Sequence, residues 1–153
     1  MTVMSTPYRP PMPYRLAWQL PVAKLPPAGD HAGQTIWCTD LHEGLAGYCR
    51  SDGLTWMPER ASAVSRRSAA TALALKPLLH RPVQILTATI PVGGLAVTFD
   101  TANAWNGCTW RIIRAGGGAG VIGLLGKVLA AGQVIEVAFD GTAFVQISPI
   151  SLL

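Results

Sequence analysis

The chain has 153 residues, enough for one ordinary domain or two very small ones; half are hydrophobic, only 13% are charged, and the formal net charge is +4. No apolar run approaches the roughly 18 residues of a transmembrane helix, so no membrane partner is expected. Prolines stand where a signal peptide needs its apolar run, so secretion by that route is not expected either.

Residues 1–29 carry seven prolines, from Pro7 to Pro27. Proline fixes φ and removes a backbone donor, so this stretch reads as an extended arm, neither helical nor sheet-forming. Tyr8, Tyr14, Trp18 and Leu20 are scattered through it. A solvated linker has no need of such side chains, so they are expected to contact a neighbouring subunit or another protein.

Residues 30–58 read as a small antiparallel meander. QTIWC and AGYCR flank DLHEG, and LTWMP follows SDG. Asp-Gly between alternating apolar runs is a strong hairpin signal, because the turn wants φ > 0. A tight turn at Glu43-Gly44 would set Cys38 opposite Cys49, and a two-residue turn at Asp52-Gly53 would set Trp56 opposite Cys49. His31, Cys38, His42 and Cys49 are spaced H-x6-C-x3-H-x6-C, which fits the paired spacing of structural zinc sites poorly. Buried thiols packed by an indole are the expectation, and no metal is expected.

Residues 59–81 form a basic linker or helix. Arg60, Arg66, Arg67, Lys76 and Arg81 occur there, with no acid between residues 60 and 99. Ala, Leu and Arg favour a short helix over about 60–75, ended by Pro77, with an extended connector as the alternative. Such a basic stretch could meet nucleic acid, an acidic protein surface or a lipid headgroup, or be a solvated face; its basic residues are not interleaved with aromatics, so nucleic acid is not expected.

Residues 82–153 return to strand-length runs separated by PVGG, NAWNG, AGGGAG, LAAG and DG. Turn signals every eight to twelve residues predict an antiparallel β-sandwich or jelly-roll-like domain, so the fold class is mainly β. Asp52-Gly53, Asn106-Gly107 and Asp140-Gly141 are each followed by an aromatic, Trp56, Trp110 and Phe144, and read as three hairpin corners with aromatic pegs. AGQTI before DGLTW also echoes AGQVI before DGTAF.

GAGVIG, residues 118–123, is a literal G-x-G-x-x-G with Glu136 or Asp140 downstream as a ribose ligand. Only 30 residues follow it, and its supposed helix holds Gly123, Gly126 and Gly132. A glycine-rich loop between strands is preferred, and a dinucleotide-binding enzyme is the least favoured reading. No G-x-S-x-G and no local acid–base constellation occurs, so neither catalysis nor a cofactor is expected. Trp37, Trp56, Trp105 and Trp110 would, if exposed, make a stacking platform for sugars.

The Pro-rich arm, then GQTIWCTD…GYCRSDGLTWMPE, then WRIIRAGG…VIEVAFDGTAFVQIS, resembles virion structural proteins of tailed bacteriophages: short fibre, head-fibre and capsid-decoration proteins. The resemblance covers roughly residues 30–58 and 105–150 and rests on degenerate turn-and-strand patterns. It implies a homo-oligomer, with a trimer foremost, whose arms stitch neighbours together in the virion. It implies contact of the basic stretch with a major capsid or other virion protein. Capsid decoration, cement or head fibre is the first expectation, and a tail-fibre or receptor-binding tip the second.

Overall fold

A computed structural model of the protein describes residues 15–59 and 64–153. The expected arm residues Tyr8 and Tyr14 and the basic Arg60 lie outside the described residues.

The chain is mainly β, as its turn spacing predicts. Three sheets form. The first holds β1 (Arg15–Leu20), β2 (Thr35–Asp40), β3 (Leu45–Ser51) and β4 (Trp56–Pro58) in that order. Strands β2 to β4 are the predicted antiparallel meander. Strand β1 is a correction to the arm, which was expected not to form sheet: it pairs in parallel with β2, Gln19 beside Trp37. It precedes two short 3-10 turns, Val22–Lys24 and Ala28–His31. Proline excludes strand only where its missing N–H is needed, and Arg15–Leu20 contains none.

The body is sandwich-like and wound in an order that turn spacing does not reveal. Strands β5 (Val64–Arg67), β7 (Val83–Leu86) and β9 (Thr109–Arg114) lie side by side in parallel in one sheet. Strands β6 (Leu73–Leu75), β8 (Leu95–Phe99) and β10 (Ile122–Leu124) do the same in the other. From β5 to β10 the chain therefore crosses to the opposite sheet after every strand, and its corners stack. Then β11 (Lys127–Leu129) turns back on β10. Strand β12 (Gln133–Phe139) lies antiparallel to β9, and β13 (Phe144–Gln146) and β14 (Ser151–Leu152) flank its free side.

Two expectations fall here. The body is mixed, not antiparallel, because crossing connections between sheets make neighbours within a sheet parallel. The helix expected over about 60–75 is replaced by β5 and β6. Their Leu75 and Ser65 are buried, so pairing and packing override the propensity of the Ala-rich run. The candidate helix after GAGVIG is likewise the β10–β11 hairpin.

One core lies between the two body sheets, built on Leu86, Val97, Trp110, Ile112, Ile122, Leu129 and Ile135. Fully burying one such side chain contributes about 1.5–3 kcal/mol. A smaller core under the first sheet holds Ile36, Cys38, Leu41, Cys49 and Trp56, with Leu20 packed against it. Leu78, from the loop after β6, inserts into this smaller core, and Trp105 touches both. The single helical turn, Leu41–Gly44, docks on that loop: His42 N donates to Leu78 O (2.7 Å) and Glu43 N to Leu79 O (2.5 Å). His42 and Glu43 have φ of 47° and 66°, so this turn is left-handed.

Candidate functional site

The three Asn/Asp-Gly corners divide into two kinds. Ser51 pairs with Trp56 and Phe139 with Phe144, so Asp52 and Asp140 each open a four-residue loop, where two residues were expected. In each loop the carboxylate Oδ1 accepts two backbone N–H groups, from Leu54 and Thr55 at 2.7 Å and from Thr142 and Ala143 at 2.8 and 2.9 Å. These bonds favour the charged form and hold both carboxyls below the usual aspartate pKa. Gly53 and Gly141 have φ of 91° and 102°, which glycine adopts freely. Trp56 and Phe144 are buried pegs, and Trp56 Nε1 also donates to Pro26 O at 2.8 Å. Asn106-Gly107 is not a hairpin. It forms a turn, closed by Cys108 N donating to Trp105 O, that feeds the central strand β9 carrying Trp110.

The cysteines share one face of the first sheet, displaced by two residues from the expected pairing. Ile36 opposes Cys49 and Cys38 opposes Gly47, while Trp56 opposes Ser51. The left-handed Leu41–Gly44 turn sets this register. Cys38, Cys49 and Cys108 are all free and buried. Cys49 shares a hydrogen bond with Cys38, which lowers the Cys38 pKa and, with burial, raises that of Cys49. Burial pushes Cys108 up to about 12, so it is not a ready nucleophile. Among the described residues no group of three or more His, Cys, Asp or Glu stands together to hold a metal.

The basic stretch is split. Arg66 and Lys76 are exposed. Arg67 and Arg81 instead turn onto Glu43. Arg67 donates to its Oε1 at 2.5 Å, and Arg81 Nε lies 3.7 Å from Oε2. The buried Gln84 accepts from Arg67 Nε at 2.6 Å and donates to Arg81 O at 2.7 Å. Burial raises the Glu43 pKa, but the Ser65 hydroxyl, Arg67 and Gln84 outweigh it and leave the carboxyl below its ordinary value. This network clamps the first sheet to the body. Sequence reasoning missed it, because Glu43 sits 24 residues from Arg67.

Beside the clamp lies a pocket of about 130 Å³, lined by His42, His80, Trp105, Cys108 and Trp110. Burial, then Arg81, depresses the His42 pKa, with Glu43 opposing. Burial, then Arg67, depresses that of His80, whose Nδ1 accepts from Lys76 N. Both imidazoles are favoured neutral in the fold, whereas the unfolded chain takes up their protons as pH drops below about 6.5. Stability is therefore expected in full above that pH and to fall as pH drops through it. Urea unfolding between pH 7.5 and 5.5 measures this. His42→Asn, which tolerates the left-handed backbone, combined with His80→Asn, should flatten the slope. An unchanged slope in the double variant would contradict the assignment.

An open groove of about 570 Å³ lies on the outer face of β2 and β3, lined by Trp37, Leu41, Leu45, Tyr48 and Glu59. Trp37 and Tyr48 meet edge to face, with ring centroids 4.7 Å apart and planes at 77°. Leu45 and Tyr48 are exposed. The sugar platform expected of four tryptophans does not form: Trp56 and Trp110 are buried, Trp105 packs against both cores, and Trp37 alone of the four lines the groove.

The glycines of residues 116–120 form the expected glycine-rich loop between strands and their role is packing, while Ile122 and Gly123 of GAGVIG already belong to β10. Gly116 and Gly120 approach the backbone of residues 87–91, and Gly118 has φ of 97°. This is the corner between β9 and β10, stacked on the corner between β7 and β8. Arg114, 1% exposed, bolts it: its guanidinium donates to Gly117 O, Gly118 O and Leu129 O at 3.3, 2.9 and 3.1 Å. No sequence signal marks a buried arginine that takes backbone carbonyls in place of a carboxylate.

No protein-family model matches the chain, and no curated protein or solved structure matches it.

Proposed function

We propose that this chain is a non-enzymatic structural protein of a tailed-phage particle, of the capsid-decoration, cement or head-fibre type, that assembles with copies of itself in the virion. The observation that carries the assembly reading is an apolar sheet edge. Strands β13 and β14 lie on the free side of β12, and Val145, Ile147, Leu152 and Leu153 are exposed there. An edge with unpaired backbone groups and apolar side chains is a template for a second chain. Strand β1 supports the same reading, because it belongs to the Pro-rich arm and is itself an edge strand of the first sheet. Arg66 and Lys76 remain exposed to meet an acidic shell.

Light scattering of the purified protein is expected to give a closed homo-oligomer, with a trimer foremost. Ile147→Glu with Leu152→Glu is expected to weaken assembly at least tenfold, since each large apolar group buried at an interface contributes about 1.5–3 kcal/mol. A monomer at every concentration would sink the assembly reading. Regular stoichiometric binding to purified capsid shells supports decoration. Blocking of adsorption to host cells by the free protein supports the tail-fibre or receptor-tip reading in its place.

A further inference from the structure

We infer that the groove on the outer face of β2 and β3 receives the proline-rich segment YRPPMPY, residues 8–14, of a second copy of this chain. This deepens the assembly reading and rests on it. The groove offers an exposed apolar side chain, Leu45, an edge-to-face Trp37–Tyr48 pair and one carboxylate, Glu59, with the buried Leu41 at its edge. His42, which also lines it, is favoured neutral, so Glu59 sets the sign of the groove.

The segment is complementary in three respects. First, Pro10, Pro11 and Pro13 lack backbone N–H groups, so it is a poor candidate for adding a strand to a sheet edge. A polyproline-type segment presents rings and carbonyls instead, and aromatic-lined grooves are what such segments recognise. Second, the arm carries Arg9 and Arg15 and no acid before Asp30. A cationic segment thus faces a groove whose charge is anionic. Third, the arm meets the described structure at Arg15, paired with Thr35, and the Thr35 hydroxyl donates to Glu59 Oε1 at 3.3 Å. The point where one copy's arm departs is therefore beside that copy's own groove. A proline-rich segment keeps its direction over several residues at about 3.1 Å each. Strand β1 runs from Arg15 beside Thr35 to Leu20 beside Cys38, so at Arg15 the chain points away from Trp37, and a segment that keeps this direction meets the groove of an adjacent copy. Copies related by a closed symmetry would each give one arm and receive one.

The test uses full-length chains and light scattering. Arg9→Glu and Glu59→Arg, each alone, are expected to weaken assembly about tenfold, as is Trp37→Ala. Residues 37 and 59 line an open surface, so circular dichroism and melting should match the parent chain. Mixing the Arg9→Glu chain with the Glu59→Arg chain should restore assembly at least in part, because an arm of either chain meets an opposite charge wherever it sits in a groove of the other. Restoration only when both reversals are in one chain, with none on mixing, would place the arm on its own body and overturn the proposal. An oligomeric parent chain whose mass is indifferent to all three variants would overturn the proposal while leaving the assembly reading intact. A monomeric parent chain would overturn both.

Discussion

Gly120→Ala is expected to destabilise the protein by about 3 kcal/mol or more, at the upper end of what overpacking costs. A Cβ on Gly120 would stand 1.7 Å from Pro91 O and 2.7 Å from the Pro91 carbonyl carbon. Gly116 is nearly as tight, at 2.0 Å from Ala88 O. The obstructing atoms are backbone, so no rotamer change relieves the clash; the two stacked corners must separate. Separation breaks the bonds that join them: Gly116 N to Leu86 O at 2.8 Å, Ile90 N to Gly117 O at 3.1 Å and Gly120 N to Ile90 O at 3.2 Å. Gly117→Ala is the control, because a Cβ there meets nothing within 4 Å. It should stay within about 0.5 kcal/mol of the parent chain. Urea unfolding of the two variants side by side decides the matter. Equal stabilities would mean that the corners are not stacked as described.

Arg114→Met should cost a comparable amount, about 3 kcal/mol, the scale of leaving buried acceptors without their donor. Methionine fills similar space but donates nothing. The carbonyl oxygens of Gly118 and Leu129 then lose this donor, while Gly117 O keeps its bond from Ile90 N, and an unsatisfied buried acceptor costs about 1–3 kcal/mol. Those acceptors lie on the glycine corner and on β11, so the loss loosens the corner and the β10–β11 hairpin together. Arg114→Lys is expected to recover little, since a compact ammonium does not reproduce a planar fork that reaches both sides. Because Arg114 and Gly120 hold one corner, Gly120→Ala combined with Arg114→Met should cost clearly less than the sum of the two. Full additivity, or a stability for Arg114→Met within about 1 kcal/mol of the parent chain, would contradict the bolt.

Asp52-Gly53 and Asp140-Gly141 explain why much of the fold was legible and where legibility ended. An Asp whose carboxylate closes its own loop, followed by a glycine with positive φ, is local chemistry, so both corners show in the sequence. The loop length did not show, since a two-residue and a four-residue turn both accept Asp-Gly. The glycines of residues 116–120 were visible as a loop, but their purpose depends on residues 87–91, which the chain brings alongside only by crossing between sheets. Glu43, Arg67, Arg81 and Gln84 had no local signature at all. The groove combines Trp37, Tyr48 and Glu59 from a strand pair and the segment after β4, and only the observed register puts them on one face.

Alternating apolar residues, turn chemistry and proline placement act within a few residues, so the sequence by itself determined a mainly β chain, its strand-length runs, the β2–β4 meander and the two aspartate loops. Which strand lies beside which is decided by whether a connection turns back in its own sheet or crosses the core. That choice depends on how distant apolar faces pack together, and it has no local marker. Tertiary structure alone therefore decided the parallel stacking of β5, β7 and β9, the conversion of an Ala-rich run from helix to strand, and the inward turn of two arginines onto one glutamate. It also decided the burial of Arg114 against backbone carbonyls, which stabilises a corner the sequence shows only as glycine.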